Sequence, residues 1–406
     1  MHFPNNPYLC IRMKKLKLPL VVKVLIAIAF GVGLGHFMPG WAVRATNTFT
    51  GLFDQLLQFF IPLIIIGLVT PAIAHVGQEA GKMLLWTVGL AYGFTVLSGL
   101  FAYLFSIELF PRMLDTSSLN ALGAAGKEFL PYFSISIPPL MDVMTALVLS
   151  FLLGLGIAFS DSGKLQGGFE ELKGIIVRSI EKLIIPLLPV YIFGLFLNMT
   201  AAGKVGPVLG SLLAVVAVIF AMTLVLLLIQ YSIAGVVARR NPFKMLAGML
   251  PAYMTALGTA SSAATIPVTL KCAIRNGVDE GVAGFTVPLC ATIHLSGSTL
   301  KITSCAIALM MMLGMPFDFP TILGFILMLG VTMVAAPGVP GGAIMAALGI
   351  LGSMLGFDAS QQGLMISLYI AMDSFGTACN VTGDGAIALI INRIAARLWR
   401  GKSMDG

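Results

Sequence analysis

The sequence predicts an all-α polytopic membrane protein. Three observations carry that prediction: few charges, ten long apolar stretches, and a lopsided distribution of lysine and arginine. Of 406 residues, 58% are hydrophobic and 10% charged, whereas a soluble domain carries about a quarter charged residues. So few charges cannot cover a chain of this size with a water-facing surface. The net charge of +7 therefore reads as a signal of membrane orientation, and no nucleic-acid partner is expected.

A spanning helix needs about 20 apolar residues. Hydropathy and the placement of Gly and Pro give spans at 18–38, 45–74, 83–109, 137–160, 181–201, 207–237, 282–311 and 362–396, with interrupted stretches at 244–271 and 319–356. Lys14, Lys15 and Lys17 lead into the first apolar run with no small-residue cleavage site, so a retained first span is expected. Either Met1 or Met13 serves as the start; with Met13, the first twelve residues are a leader. Five scattered cysteines without a CxxC spacing argue against disulfides and structural zinc. The amphipathic stretch Gly168–Lys182 is expected to lie along the cytoplasmic interface before the fifth span.

Orientation follows from the 24 lysines and arginines. With the N-terminus inside, two fall within spans (Lys23, Lys301) and four outside (Arg44, Arg112, Lys127, Lys204), leaving 18 on the inner side. The positive-inside rule puts both termini in the cytoplasm. Alternation then requires each interrupted stretch to enter and leave on one side. The first is flanked by Lys244 and Lys271 and dips in from the cytoplasm; the second, flanked by Asp318 and Asp358, dips in from outside.

The first hairpin is expected to turn over Gly258–Pro267, with Ser261, Ser262 and Thr265 in the turn, and the second over Ala335–Gly342. Pro337–Gly342 holds two prolines and three glycines in six residues, more than a kinked but packed helix explains. Non-helical backbone at membrane depth is tolerated only where it is buried in protein or lines a wet cavity. Paired broken segments point to a transporter's binding site, and the helix N-termini they create suit an anion such as a carboxylate.

In the last span Asp373, Thr377, Asn380 and Asp384 recur at spacings of four, three and four, which places them on one helical face. Acids inside a span are expensive and mark function: neutralising a cation, binding an ammonium or carrying a proton. The preceding span holds His294, Ser296, Gly297, Ser298, Thr299 and Lys301. A local unwinding is expected at Gly297, and His294 is a candidate proton carrier as well as a packing residue. Lys301 is expected to snorkel to the outer interface, with the alternative that its ammonium stands where another transporter binds a cation. No nucleotide-binding loop, zinc cluster or nucleophile elbow occurs, so an ion gradient is the expected energy source and no organic cofactor is expected.

Four motifs resemble the dicarboxylate/amino acid:cation symporter family, the glutamate-transporter homologues. They are SSAATIPVT at Ser261–Thr269, PLCATI at Pro288–Ile293, PGVPGG at Pro337–Gly342 and NVTGDG at Asn380–Gly385. The similarity runs through the chain and is most specific after residue 240. It implies eight transmembrane helices, two opposed re-entrant hairpins, inverted repeats, a homotrimer in the plasma (inner) membrane and an elevator-type moving domain. On that pattern, 1–17 is a cytoplasmic segment, 18–82 and 137–201 are scaffold helices 1–2 and 4–5, and 83–136 is helix 3 with an external loop. Helix 6 takes 202–243, hairpin 1 244–272, helix 7 282–311, hairpin 2 319–357, helix 8 362–398, and the tail 399–406.

The resemblance also implies roles for residues. Asp373 would bind a substrate amino group, Ser261 and Ser262 its carboxylate, and Val339, Pro340 and Gly341 would cover it, with Thr377 and Asn380 adding hydrogen bonds. One sodium ion would sit between Asn380, Asp384 and carbonyls near Cys290 and His294. Another would sit among carbonyls near Thr292 and between Val334 and Ala336. Two departures stand out. The arginine expected three residues after Asp373 in members that carry acidic amino acids is Gly376 here, which opens space and leaves a second substrate carboxylate unpaired. The family's NMDG reads His294-Leu295-Ser296-Gly297, and Gly89, Tyr92 and Gly93 stand where polar ligands are expected, so one deep sodium site is expected to be missing.

The resulting expectation is a symporter for a small, neutral amino acid driven by sodium. The alternative is a proton- or sodium-coupled dicarboxylate or acidic amino acid symporter of the same fold, with Lys301 as compensating cation. A channel would need a continuous polar path rather than one midplane cluster. A membrane enzyme would need a nucleophile and base, for which His294 with Ser296 or Ser298 is the sole candidate set.

Overall fold

A computed structural model describes residues 19–78, 82–113, 129–160, 163–203, 205–336 and 340–402. Among them every regular element is a helix. The first group comprises α1 (Leu20–Gly35), α2 (Gly40–Gln78), α4 (Val143–Ala158), α5 (Gly163–Ser179) and α6 (Ile185–Ala201). α1 packs on α6, and α2 on α4, α5 and α6. Small residues allow the close approach of α1 and α6: a Cβ on Gly31 would stand 2.7 Å from the Phe193 carbonyl oxygen, and one on Gly35 2.5 Å from the Thr200 Cβ.

The second group is α3 (Lys82–Met113), α7 (Val205–Ala238), α8 (Pro242–Gly248), α9 (Leu250–Thr259), α10 (Ser262–Arg275), α11 (Glu280–Ile293), α12 (Ser296–Leu313), α13 (Phe319–Val334), α14 (Gly342–Leu355), α15 (Ala359–Ala371) and α16 (Asp373–Lys402). α16 is its hub, touching α7, α9, α10, α11 and α12, while α3 covers α12 and α13. Burial separates the roles of these helices. The most apolar stretch of α7 is 44% buried, whereas those of the broken α11–α12 unit and of α16 are 94% and 89% buried. The two polar-rich segments are therefore the ones withdrawn furthest from the surroundings, as the cost of exposing such groups to hydrocarbon demands.

Among the described residues six helices are long and apolar enough to cross a membrane by length and composition: Gly40–Ala74, Met83–Met113, Gly163–Ala201, Gly210–Ala238, Glu280–Leu313 and Asp373–Ala396. Shorter apolar helices include α1, α13 and α14. α9 packs against α10, and α13 against α14.

The structure revises five sequence expectations. The amphipathic stretch 168–182 is not a separate element. It runs through a π-helical turn (Ile180–Ile184) into α6 without a break and packs its Ile176 against Gly67 of α2. Residues 137–142 are irregular rather than helical, because Pro138 and Pro139 resist helix; the Ile137 amide instead donates to the Gln55 side chain at 3.1 Å. The first hairpin turns only at Ala260 and Ser261, and Pro267 lies inside α10. The seventh segment unwinds at His294 and Leu295, not at Gly297. The last segment is broken at Met372, so Asp373 opens a helix instead of lying mid-span.

Candidate functional site

The first hairpin ends in Ala260, whose left-handed backbone (φ 49°) reverses the chain without a glycine. Ser261 then caps α10, its side chain accepting from the Ala264 amide at 3.3 Å. The second hairpin re-enters helix at Gly341, also left-handed (φ 75°). Residues 337–339, including Val339, lie outside the described residues. Both hairpins meet α16 and the α11–α12 break around a cleft of about 30 Å³, lined by Ala260, Ser262, Ala291, Thr292, Leu295, Ser298, Ala336, Ala343, Tyr369, Asp373, Thr377 and Asn380.

Asp373 dominates the cleft's electrostatics. One carboxylate oxygen accepts the Gly341 amide of the second tip at 2.8 Å. The other faces the Lys301 ammonium at 3.8 Å, with both side chains almost wholly buried. Lys301 also donates to the Met372 carbonyl at 3.2 Å and lies 3.9 Å from the centre of the Tyr369 ring. It thus satisfies the carbonyl freed by the α15–α16 break, neutralises the first residue of α16 and gains a cation–π contact.

This overturns the expectation that Lys301 snorkels outward. Gly376 explains why: a Cβ there would collide with the Lys301 Nζ and Cε. The space that glycine opens is filled by a lysine reaching across from α12, one of the largest fully buried side chains.

Asn380 organises the start of α12. Its Oδ1 accepts the Gly297 amide at 2.8 Å and the Ser298 amide at 3.4 Å, and its Nδ2 donates to the Ser298 hydroxyl at 3.2 Å. Gly297 is needed for close packing, since a Cβ would stand 2.7 Å from both the Cys379 Cβ and the Gly376 carbonyl oxygen. Ser298 also shares a hydrogen bond with the Tyr369 hydroxyl at 2.8 Å.

Three turns along α16, Asp384 meets the His294 ring at 2.8 Å, both side chains at most 1% exposed. The His294 amide donates to the Cys290 carbonyl at 2.8 Å. The second Asp384 oxygen, the His294 Nε2, the Gln230 Oε1 and the Thr382 hydroxyl find no hydrogen-bond partner among the described residues. Gln230 and His294 both crowd Gly383, where a Cβ would stand 2.7 Å from Gln230 Oε1 and 2.6 Å from His294 Cε1. Buried groups of this kind rarely stay unpaired, which makes the Asp384–His294 pair with Gln230 a candidate place for something small and polar. Among the described residues no cluster of three or more His, Cys, Asp or Glu could hold a metal ion, so any ion here relies on carbonyls and amides as well.

Of the anticipated residues, Ser262, Thr292, Ala336, Asp373, Thr377 and Asn380 line one cleft, and Gly341 reaches Asp373 through its amide. Cys290, His294 and Asp384 lie at or beside the deeper pair. Ser261 acts as the helix cap, Pro340 lies at the second tip, Val334 ends α13, and Gly376 lies under Lys301. Tyr92 turns away, donating to the Leu327 carbonyl at 3.1 Å. Sequence reasoning missed Tyr369, Ser298 as a lining residue, and Gln230. Tyr369 could have been found as the residue one helical turn before Asp373.

The family model for sodium:dicarboxylate symporters matches residues 20–394. The chain belongs to the sodium:dicarboxylate symporter family. It is similar to the serine/threonine transporter SstT of Acinetobacter baumannii: 30% identical over 389 residues for strain SDF, and 28% over 388 for strain AYE, covering 91% of this chain and 95% of the relative in the latter comparison. As a member of this symporter family the protein is a multi-pass membrane transporter and not an enzyme.

Proposed function

We propose that the protein takes up a small neutral amino acid with a hydroxyl-sized side chain, serine or threonine, together with sodium. One observation carries the reading: a buried carboxylate, Asp373, lines a cleft between two hairpin tips, and Asp384 stands three turns away on the same helix. A carboxylate offers about four acceptor positions, so Asp373 can keep Lys301 on one oxygen and exchange the Gly341 amide for a substrate ammonium on the other. The substrate's carboxylate lies against the start of α10, where Ser262 lines the cleft. The names of the relatives support the choice of side chain.

Sodium sits between Asp384, the Asn380 region and carbonyls near Cys290 and His294. A second ion sits near Thr292 and the residues from Val334 to Ala336; of these, Thr292 and Ala336 line the cleft. The first helix group is a trimer-forming scaffold and the second an elevator that carries the site across. The two hairpins are re-entrant from opposite sides, the spans number eight, and both termini face the cytoplasm of a bacterial-type inner membrane. The acidic-substrate alternative has one point in its favour, the Lys301 ammonium beside the cleft, but that charge is already matched by Asp373.

Uptake into proteoliposomes of a panel including serine, threonine, alanine, aspartate and succinate, with sodium and pH gradients imposed separately, tests the reading. Sodium-driven serine or threonine accumulation is expected. Accumulation of aspartate or succinate in their place overturns it.

A further inference from the structure

Asp373 carries the amino-group recognition proposed above, and the inference here rests on that reading. A buried carboxylate with no partner would make a passenger's ammonium obligatory, because an amine-free ligand would leave the charge bare. Asp373 has a resident partner. The Lys301 ammonium lies 3.8 Å from one oxygen and is held there by the Met372 carbonyl at 3.2 Å and the Tyr369 ring at 3.9 Å. The missing side chain at Gly376 makes room for it, and at 1% exposure it has no route to solvent. The Lys301–Asp373 pair brings no net charge to the cleft.

We infer that the transporter also accepts 2-hydroxy carboxylates, compounds in which a hydroxyl replaces the amino group of the substrate. The hydroxyl donates one hydrogen bond to the Asp373 oxygen that otherwise takes the Gly341 amide. The carboxylate occupies the same place at the start of α10 as that of an amino acid. Lys301 is thus a specificity-determining residue that acts through Asp373. It relaxes the requirement for an ammonium instead of touching the passenger itself, consistent with its absence from the cleft's lining.

The probe is glycerate, serine with a hydroxyl in place of its amine, measured as a competitor of labelled serine and directly as labelled glycerate in proteoliposomes of wild-type protein. Inhibition by glycerate is expected within about 30-fold of the concentration at which unlabelled serine competes. No inhibition at about a thousandfold excess overturns the inference while leaving amino acid transport intact. Glycerate uptake without serine uptake sustains the inference and overturns the amino acid assignment; uptake of neither overturns both. In Lys301→Met the ratio of glycerate to serine half-inhibition concentrations should rise at least about tenfold, whatever happens to serine alone. An unchanged ratio removes Lys301 from the explanation. Should that variant fail to accumulate, the wild-type competition decides by itself.

Discussion

Asp373 and Asp384 occupy the same face of one helix, yet the structure treats them differently. Asp373 opens α16 beside a cleft, shares its oxygens between a backbone amide and a lysine at 3.8 Å, and can trade one of them. Asp384 lies within the helix, hydrogen-bonded to His294 at 2.8 Å, with its other oxygen unpaired among the described residues and no lining role in the cleft. On the proposed function this contrast divides the work of one helix: the carboxylate at a helix break would handle an exchangeable passenger, and the one in unbroken helix a small ion.

The strongest way to break this comparison is Asp384→Asn, which should abolish sodium-dependent uptake in proteoliposomes while the protein still folds. Retained sodium dependence would remove the ion from that position. Asp373→Asn should lower serine uptake by about 100-fold, since it removes the ammonium partner and strands the Lys301 charge. If sodium still stabilises this variant in thermal unfolding, the two aspartates are separate in function as argued.

These expectations show what was legible beforehand. The four polar residues of α16 were readable because a helix's 3.6-residue period is simple and buried acids are rare. The interruptions between α9 and α10 and after α13 were readable because Pro and Gly cluster near them and resist regular helix. The break at His294–Leu295 was not, since hydropathy records composition and not backbone path, and neither residue is a helix breaker by type. The direction of Lys301 was hidden for a different reason. A lysine near a span's end can reach either way, and only the glycine at 376, 75 residues distant in sequence, decides it. The signal was present as Ser298 three residues earlier, which marks that side of α12 as the polar one.

Two smaller effects sharpen the account. His294→Ala leaves Asp384 without its hydrogen-bond partner and should destabilise the sodium-free protein by about 1.5–3 kcal/mol, read as a lower unfolding midpoint in detergent, with sodium recovering part of the loss. Gly376→Ala should cost about 1–3 kcal/mol by overpacking Lys301; in a double-mutant cycle, Lys301→Met should relieve that cost, and strict additivity would mean that the two residues do not meet. For the same reason Gly376→Arg on its own crowds two cations together instead of creating an acid-binding pocket.

The most direct test of the central claim, that one helix carries both passenger and driving ion, is the affinity of the purified protein for serine measured by calorimetry with and without sodium. The account predicts that affinity rises steeply with sodium in the wild type and that Asp384→Asn loses this dependence. Serine binding of equal strength with and without sodium would contradict it.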